Sequence, residues 1–227
     1  MARPQSADHH LKRDSILDGA AQCFADLSYS AASMATVAAK VGASKARIYH
    51  YYDSKEALLF DLLDRYTQRL LAVVGETEAH AQRQNMTDRQ ALHALVRAFL
   101  VEYENSATRH VALLNDTKFL SNVVEAAAGN TAGNTAGNTT GNTTGKSQRN
   151  TIVQRQRDIV SAFTRFLRRA YPARLTDANQ TAVTMMLMGM INWTFTWLRE
   201  GGALTHASMA PRVVQLFLGG LPAVQVR

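Results

Sequence analysis

The sequence predicts an all-α protein, with a small N-terminal three-helix domain (residues 1–58) joined to a larger helical domain (residues 59–227). Three observations carry that expectation. Apolar residues recur at helical spacing along most of the chain, and no stretch alternates convincingly as a strand would. Capping residues stand ahead of several of these runs. Glycine or proline closes others, as at Gly42, Pro172 and Gly201–Gly202. The chain has 227 residues, 46% of them hydrophobic, which is enough for a substantial core.

The first helix runs from about Asp14 to Leu27, with Ile16, Ala20, Cys23, Phe24 and Leu27 on one face. Ser33 caps a short second helix whose apolar positions are Met34, Val37, Ala38 and Val41. Gly42, Ala43 and Ser44 form a break before a third helix, Lys45 to about Tyr51, which turns Ile48 and Tyr52 inward. Asp53 and Glu56 have capping-box spacing at the head of a long fourth helix carrying Leu58, Leu62, Tyr66 and Leu70. Thr87 and Gln90 repeat that spacing before a helix that buries Leu92, Leu95, Val96, Phe99 and Tyr103. Further helices are expected over about 108–114, 118–127, 147–171, 177–200 and 209–218. Ser208 as cap of the last would place Pro211 in its first turn, where no backbone hydrogen bond is lost.

Between them, residues 129–145 repeat Gly-Asn-Thr-Ala/Thr four times, with no apolar side chain larger than alanine. Such a segment buries too little surface to offset its ordering entropy, so it is expected to be a flexible surface loop. Its end, Gly141 to Ser147, imitates a phosphate-binding loop but has three residues between the glycines where four are required. No hydrophobic strand precedes it. No nucleotide or other cofactor is expected.

Several function classes drop out. One cysteine, Cys23, excludes an internal disulfide and reads as a small core residue in a cytoplasmic protein. Residues 182–198 carry no charge, but this run of 17 is short for a membrane span and is interrupted by Thr184, Asn192, Thr194 and Thr196. A buried helix or subunit interface fits it better. His9, His10, His80, His93, His110 and His206 are scattered without zinc spacing, and no paired carboxylates or nucleophile elbow suggests an enzyme.

The net charge is +7, yet residues 1–65 balance eight basic against eight acidic side chains. Residues 146–169 hold seven basic residues against Asp158 alone, so most of the excess lies there. Residues 40–55 are locally basic, with four cations and one acid. Two short helices joined through Gly42 and flanked by a helix on either side match a helix-turn-helix. On its second helix, Lys45, Arg47, Tyr49, His50 and Tyr51 supply cations, donors and aromatic edges around the inward anchors. A forked donor such as Arg47 suits base edges, whereas short polar groups and cations suit phosphates. Lys55, at the start of the next helix, can meet a phosphate together with free backbone N–H groups.

Residues 13–62 resemble the N-terminal domain of the tetracycline-repressor (TetR) family of bacterial regulators. The matching positions are Ile16, Ala20–Ala21, Phe24, Tyr29, Ser33–Met34, Val37–Ala38, Val41–Gly42, Ser44–Lys45, Ile48–Tyr49, Tyr52, Ser54–Lys55–Glu56 and Leu58–Leu59. Ser28 departs from the family's usual glycine. The resemblance implies a homodimer on a palindromic double-stranded DNA operator. Lys45, Ala46 and Arg47 match base-proximal positions; Tyr49, His50, Tyr51 and Lys55 match phosphate positions. Ser33 and Thr36 fall where the preceding helix approaches the backbone, and Ser44 opens the recognition helix.

The family's last two long helices form the dimer. Here the first is rich in methionine: Met185, Met186, Met188 and Met190. The run Gly189 to Trp197 followed by Gly201–Gly202 is similar to a subset released from DNA by acyl-coenzyme A thioesters. That implies a repressor freed by a small-molecule effector, with Arg149, Arg155, Arg157 and Arg165 on phosphates. Met186, Met190, Phe163 and Trp193 would then border an acyl chamber. The competing expectation is an all-helical ligand-binding protein, or an enzyme acting on acyl thioesters, that never touches DNA.

Overall fold

The computed structural model describes residues 5–121, 140–198 and 201–220. Among them there are nine α-helices and no strand. They are α1 (Gln5–Leu27), α2 (Met34–Lys40), α3 (Lys45–Tyr51), α4 (Lys55–Arg83) and α5 (Asp88–Asn105). Then come α6 (Ala107–Asp116), α7 (Thr140–Ala170), α8 (Gln180–Asn192) and α9 (His206–Gly220). Short 3₁₀ turns follow α6 and α8, at Thr117–Ser121 and Trp193–Thr196. Residues 129–139 of the repeat, and the tail of the helix expected over 118–127, lie outside the described residues.

The chain forms two compact units: residues 1–66 with 108–153, and residues 67–107 with 154–227. The boundary drawn from sequence at residue 58 falls inside α4, whose apolar stripe continues without a break from Leu58 through Leu70 to Val74.

In the first unit, α1 buries Ile16, Leu17, Ala20, Ala21, Cys23 and Phe24. Leu27, expected on that face, is exposed, because the chain leaves the helix directly after it. Ser28 turns the chain with a φ of 68°, a left-handed conformation that costs a side-chain-bearing residue about 1 kcal/mol. Gly19 lets α1 and α2 close up, since a Cβ there would overlap the side chain of Val41. The fourth helix is capped by Ser54 rather than Asp53: the Ser54 hydroxyl accepts from the Ala57 amide at 3.0 Å. Arg109 on α6 pairs with Asp18 on α1, its Nε donating at 3.0 Å. From the 3₁₀ turn, Phe119 stacks on Tyr29, with ring centroids 4.8 Å apart.

In the second unit, the expected capping box of α5 is present, Thr87 and Gln90 each bonding the other's backbone. Leu92, Leu95, Val96, Phe99 and Tyr103 are all buried. The same unit buries Phe163, Phe166 and Leu167 of α7, Leu187 and Ile191 of α8, and Val213 and Val214 of α9, and α5 packs on α9. Phe99 meets Phe163 edge-on at 4.8 Å. The polar groups of the uncharged run find partners: Thr184 shares a 3.0 Å hydroxyl bond with Thr164, and Asn192 accepts from the Tyr103 hydroxyl at 2.8 Å.

Side chains that compete with the backbone set three of the helix boundaries that differ from expectation. Asn179 bonds the Thr176 amide and the Arg174 carbonyl, which delays α8 to Gln180 rather than Asp177. At its end the Thr194 and Thr196 hydroxyls donate three residues back, to Ile191 and Trp193, where the helix tightens to 3₁₀. Thr205, not Ser208, caps α9; the two exchange amide-to-hydroxyl bonds at 3.0 and 3.1 Å. Pro211 therefore lies inside the helix. α1 and α7 start earlier than expected, at Gln5 and Thr140. Among the described residues no helix is long and apolar enough to cross a membrane.

Candidate nucleic-acid interface

The helix-turn-helix is assembled by short-range bonds. Ser33 caps α2, accepting from the Thr36 amide at 3.1 Å while the Ser33 amide donates to the Thr36 hydroxyl at 3.3 Å. Gly42 makes the turn with a φ of 63°, where glycine carries no steric cost. Ser44 then caps α3, its hydroxyl accepting from the Arg47 amide at 3.2 Å. Ile48 is fully buried and Tyr52 nearly so, which fixes the rotation of α3 about its axis.

That rotation turns Lys45, Ala46, Arg47, Tyr49 and His50 to solvent and leaves Tyr51 half-buried at the rim. The Lys45 ammonium lies 5.7 Å from the Tyr49 ring centroid, one turn along. The Arg47 guanidinium has no hydrogen-bond or ion-pair partner among the described residues. It is a forked donor held out on a rigid helix. Ser33, Thr36 and Ser44 have their hydroxyls committed to caps, with Ser33 and Ser44 exposed and Thr36 half-buried.

A polar bolt absent from the sequence expectations seats the end of α3. The Tyr52 hydroxyl donates to Asp61 at 2.6 Å, and Arg13 Nε donates to both, at 3.2 Å to Tyr52 and 3.0 Å to Asp61. Arg65 Nε joins Asp61 at 3.2 Å, and its Nη1 pairs with Asp14 at 2.5 Å. Burial pushes the Tyr52 phenol well above its ordinary range, and the bond to Asp61 adds to that. Burial alone would lower Arg13, but Tyr52 and Asp61 outweigh it and hold the guanidinium charged. The one local signal of this cluster is the four-residue spacing of Asp61 and Arg65.

Lys55 is placed differently from its expected phosphate position. Its ammonium donates to the carbonyls of Tyr29 and Ala32, both at 2.8 Å, and reaches Ser30 O at 3.5 Å. It also sits 4.3 Å above the Tyr29 ring. An ammonium has three N–H donors, and all three are engaged here. Lys55 thus staples the turn that leads into the Ser33 cap.

The residues expected around an effector differ in burial. Phe163 is fully buried in the core, whereas Trp193 is 66% exposed. Met186 is exposed and Met190 half-buried. Arg165 pairs with Glu78 at 3.7 Å, Arg155 reaches the Thr67 hydroxyl at 3.5 Å, and Arg149 and Arg157 are exposed. A cleft of about 530 Å³ opens between the later turns of α4 and the face of α5. Val73, Met86, Ala98 and Val101 supply its apolar wall, and Arg69 is fixed there by Glu76 at 2.6 Å and Glu102 at 3.0 Å. Arg97 lines this cleft and a smaller one of about 310 Å³ against α9.

Residues 16–62 match the model described as bacterial regulatory proteins of the tetR family, and residues 117–221 the tetracyclin repressor-like C-terminal domain. The chain belongs to the tetracycline-repressor family. Its members are DNA-binding transcription regulators rather than enzymes. Over 74 residues the chain is 36% identical to the transcriptional repressor Rv1474c of Mycobacterium tuberculosis, covering 32% of this chain and 40% of that one. It is 32% identical over 100 residues to the activator FasR of Mycolicibacterium smegmatis, covering 43% and 44%. The chain thus spans under half the length of these curated relatives. A TetR-family regulator from Bordetella parapertussis 12822 superposes with a TM-score of 0.76 at 29% identity, covering 95% of this chain and 98% of that one. AibR in complex with isovaleryl coenzyme A and operator DNA shares the fold at a TM-score of 0.63 and 21% identity, covering 90% and 96%.

Proposed function

We propose that this TetR-family chain is a dimeric repressor of a palindromic operator, released by a small-molecule effector. The observation that carries the DNA assignment is the unpartnered Arg47 guanidinium on the outward face of a helix locked by Ile48 and Tyr52. Arg47, with Lys45 and Ala46, reads base edges in the major groove. Ser33, Thr36, Ser44, Tyr49, His50 and Tyr51 hold phosphates, which set register without carrying sequence. Lys55 acts by holding the α1–α2 turn.

The test is to titrate a duplex from the promoter flanking the chain's own gene, and a scrambled duplex, with wild type and Arg47→Ala. The variant is expected to lose about 1–3 kcal/mol on the operator and little on the scrambled duplex. Equal loss on both would make Arg47 a phosphate clamp and move specificity to Lys45, Ala46 or DNA shape. The same titration with acyl-CoA thioesters present tests the effector: release by a thioester, and not by free coenzyme A, is the expected result.

Support for a thioester comes from the fold shared with AibR and from the exposed cations Arg149 and Arg157. The α4–α5 cleft is a candidate effector chamber, since its volume lies within the range of small-molecule sites. Arg97, without a side-chain partner among the described residues, suits an anionic group.

For the dimer, Met185 is 52%, Met186 63%, Trp193 66%, Trp197 48% and Leu216 72% exposed. That much apolar surface along α8, the turn after it and α9 calls for a partner, and a second copy of the chain supplies a two-fold one. Light scattering at micromolar concentration is expected to give twice the chain mass. A monomer under those conditions would reject this interface.

A further inference from the structure

α1 reaches well beyond what the core uses. Among the described side chains its first buried residue is Ile16, where the family match also begins. Ahead of it His9, Leu11 and Lys12 are exposed, so these side chains add no apolar burial to the helix. It is held instead against the end of α3. Arg13 bonds Tyr52 and Asp61, and one turn earlier, on the same face, the His9 ring lies 4.9 Å from the Tyr51 ring. His50 meets Tyr51 edge-on at 5.5 Å. A phenol is thus flanked by two imidazoles at the exposed rim of α3, with Lys12 on the neighbouring turn of α1.

We propose that His9, Tyr51 and His50 form a composite phosphate site for the DNA backbone, which makes the N-terminal turns of α1 part of the interface. This rests on the reading that α3 faces DNA. The chemistry suits a phosphate: each imidazole presents at least one N–H donor in either charge state, and the phenol presents an O–H. Ring packing fixes the donors relative to one another, so little rotamer freedom is lost when an anion arrives. No group in the cluster is shaped to read a base edge, so it contributes affinity and register, not sequence.

The experiment uses the full-length chain, the promoter duplex and a scrambled duplex of equal length. His9→Ala is expected to weaken both by about three- to tenfold, the worth of one hydrogen bond to a phosphate. His9→Lys is expected to restore affinity and steepen the salt dependence by about one unit. Arg47→Ala runs beside them. If His9→Ala binds both duplexes as wild type does while Arg47→Ala loses the operator, the composite site is overturned and the helix-turn-helix stands. If His9→Lys binds as poorly as His9→Ala, His9 serves ring packing alone, and the site is again overturned. Silence of both alanine variants overturns the assignment of α3 to DNA and this site with it.

Discussion

Phe163→Ala is expected to lower stability by about 3–5 kcal/mol, the usual cost of emptying a buried phenylalanine site. Phe163 has no exposed surface, and its ring is met edge-on by Phe99 at 4.8 Å, a contact that truncation also removes. Neighbours Phe166 and Leu167 are equally buried on α7 and are held by their own packing, so collapse into the vacated space is limited. Urea denaturation followed by circular dichroism measures the loss. The sequence suggested that Phe163 borders an acyl chamber. A variant of wild-type stability with weakened effector binding would restore that role and displace the α4–α5 cleft.

Lys55→Met is expected to cost about 1–3 kcal/mol, because it leaves the carbonyls of Tyr29 and Ala32 without their donor while keeping the length of the side chain. The turn it holds already carries Ser28 in a left-handed conformation, so its geometry depends on outside support. Loosening that turn should misplace the Ser33 cap and α2, and DNA affinity should fall with stability. The salt dependence separates this from direct contact. A lysine on a phosphate contributes about one unit to the salt slope. Lys55→Met is therefore expected to keep the wild-type slope. A slope shallower by about one unit with unchanged stability would return Lys55 to the phosphate contacts.

The two predictions divide along the same line as the rest of the molecule. The inward anchors Ile48 and Tyr52, the capping box of Thr87 and Gln90 and the Ser33 cap were legible because each depends on residues three or four positions apart. So was the outward set from Lys45 to His50, since two inward positions on a short helix fix which way the others point. The depths of Phe163 and Trp193 were not legible. Helical spacing gives a side chain's face but not the depth to which neighbouring helices bury it, and on that depth Phe163 and Trp193 diverge.

By itself, then, the sequence determined that the chain is helical, that Ser33 and Thr87 cap their helices, which positions of α3 point inward, and membership of the TetR family. Only the tertiary structure decided that Lys55 staples a turn, that Arg13, Tyr52 and Asp61 bolt α3 in place, and that His9 meets Tyr51. The physical reason is sequence distance. Lys55 bonds Tyr29 across 26 positions, and Arg13 reaches Tyr52 and Asp61 across 39 and 48. Whether a charged side chain meets solvent or a set of carbonyls at such separations depends on how helices pack, and no local pattern encodes it.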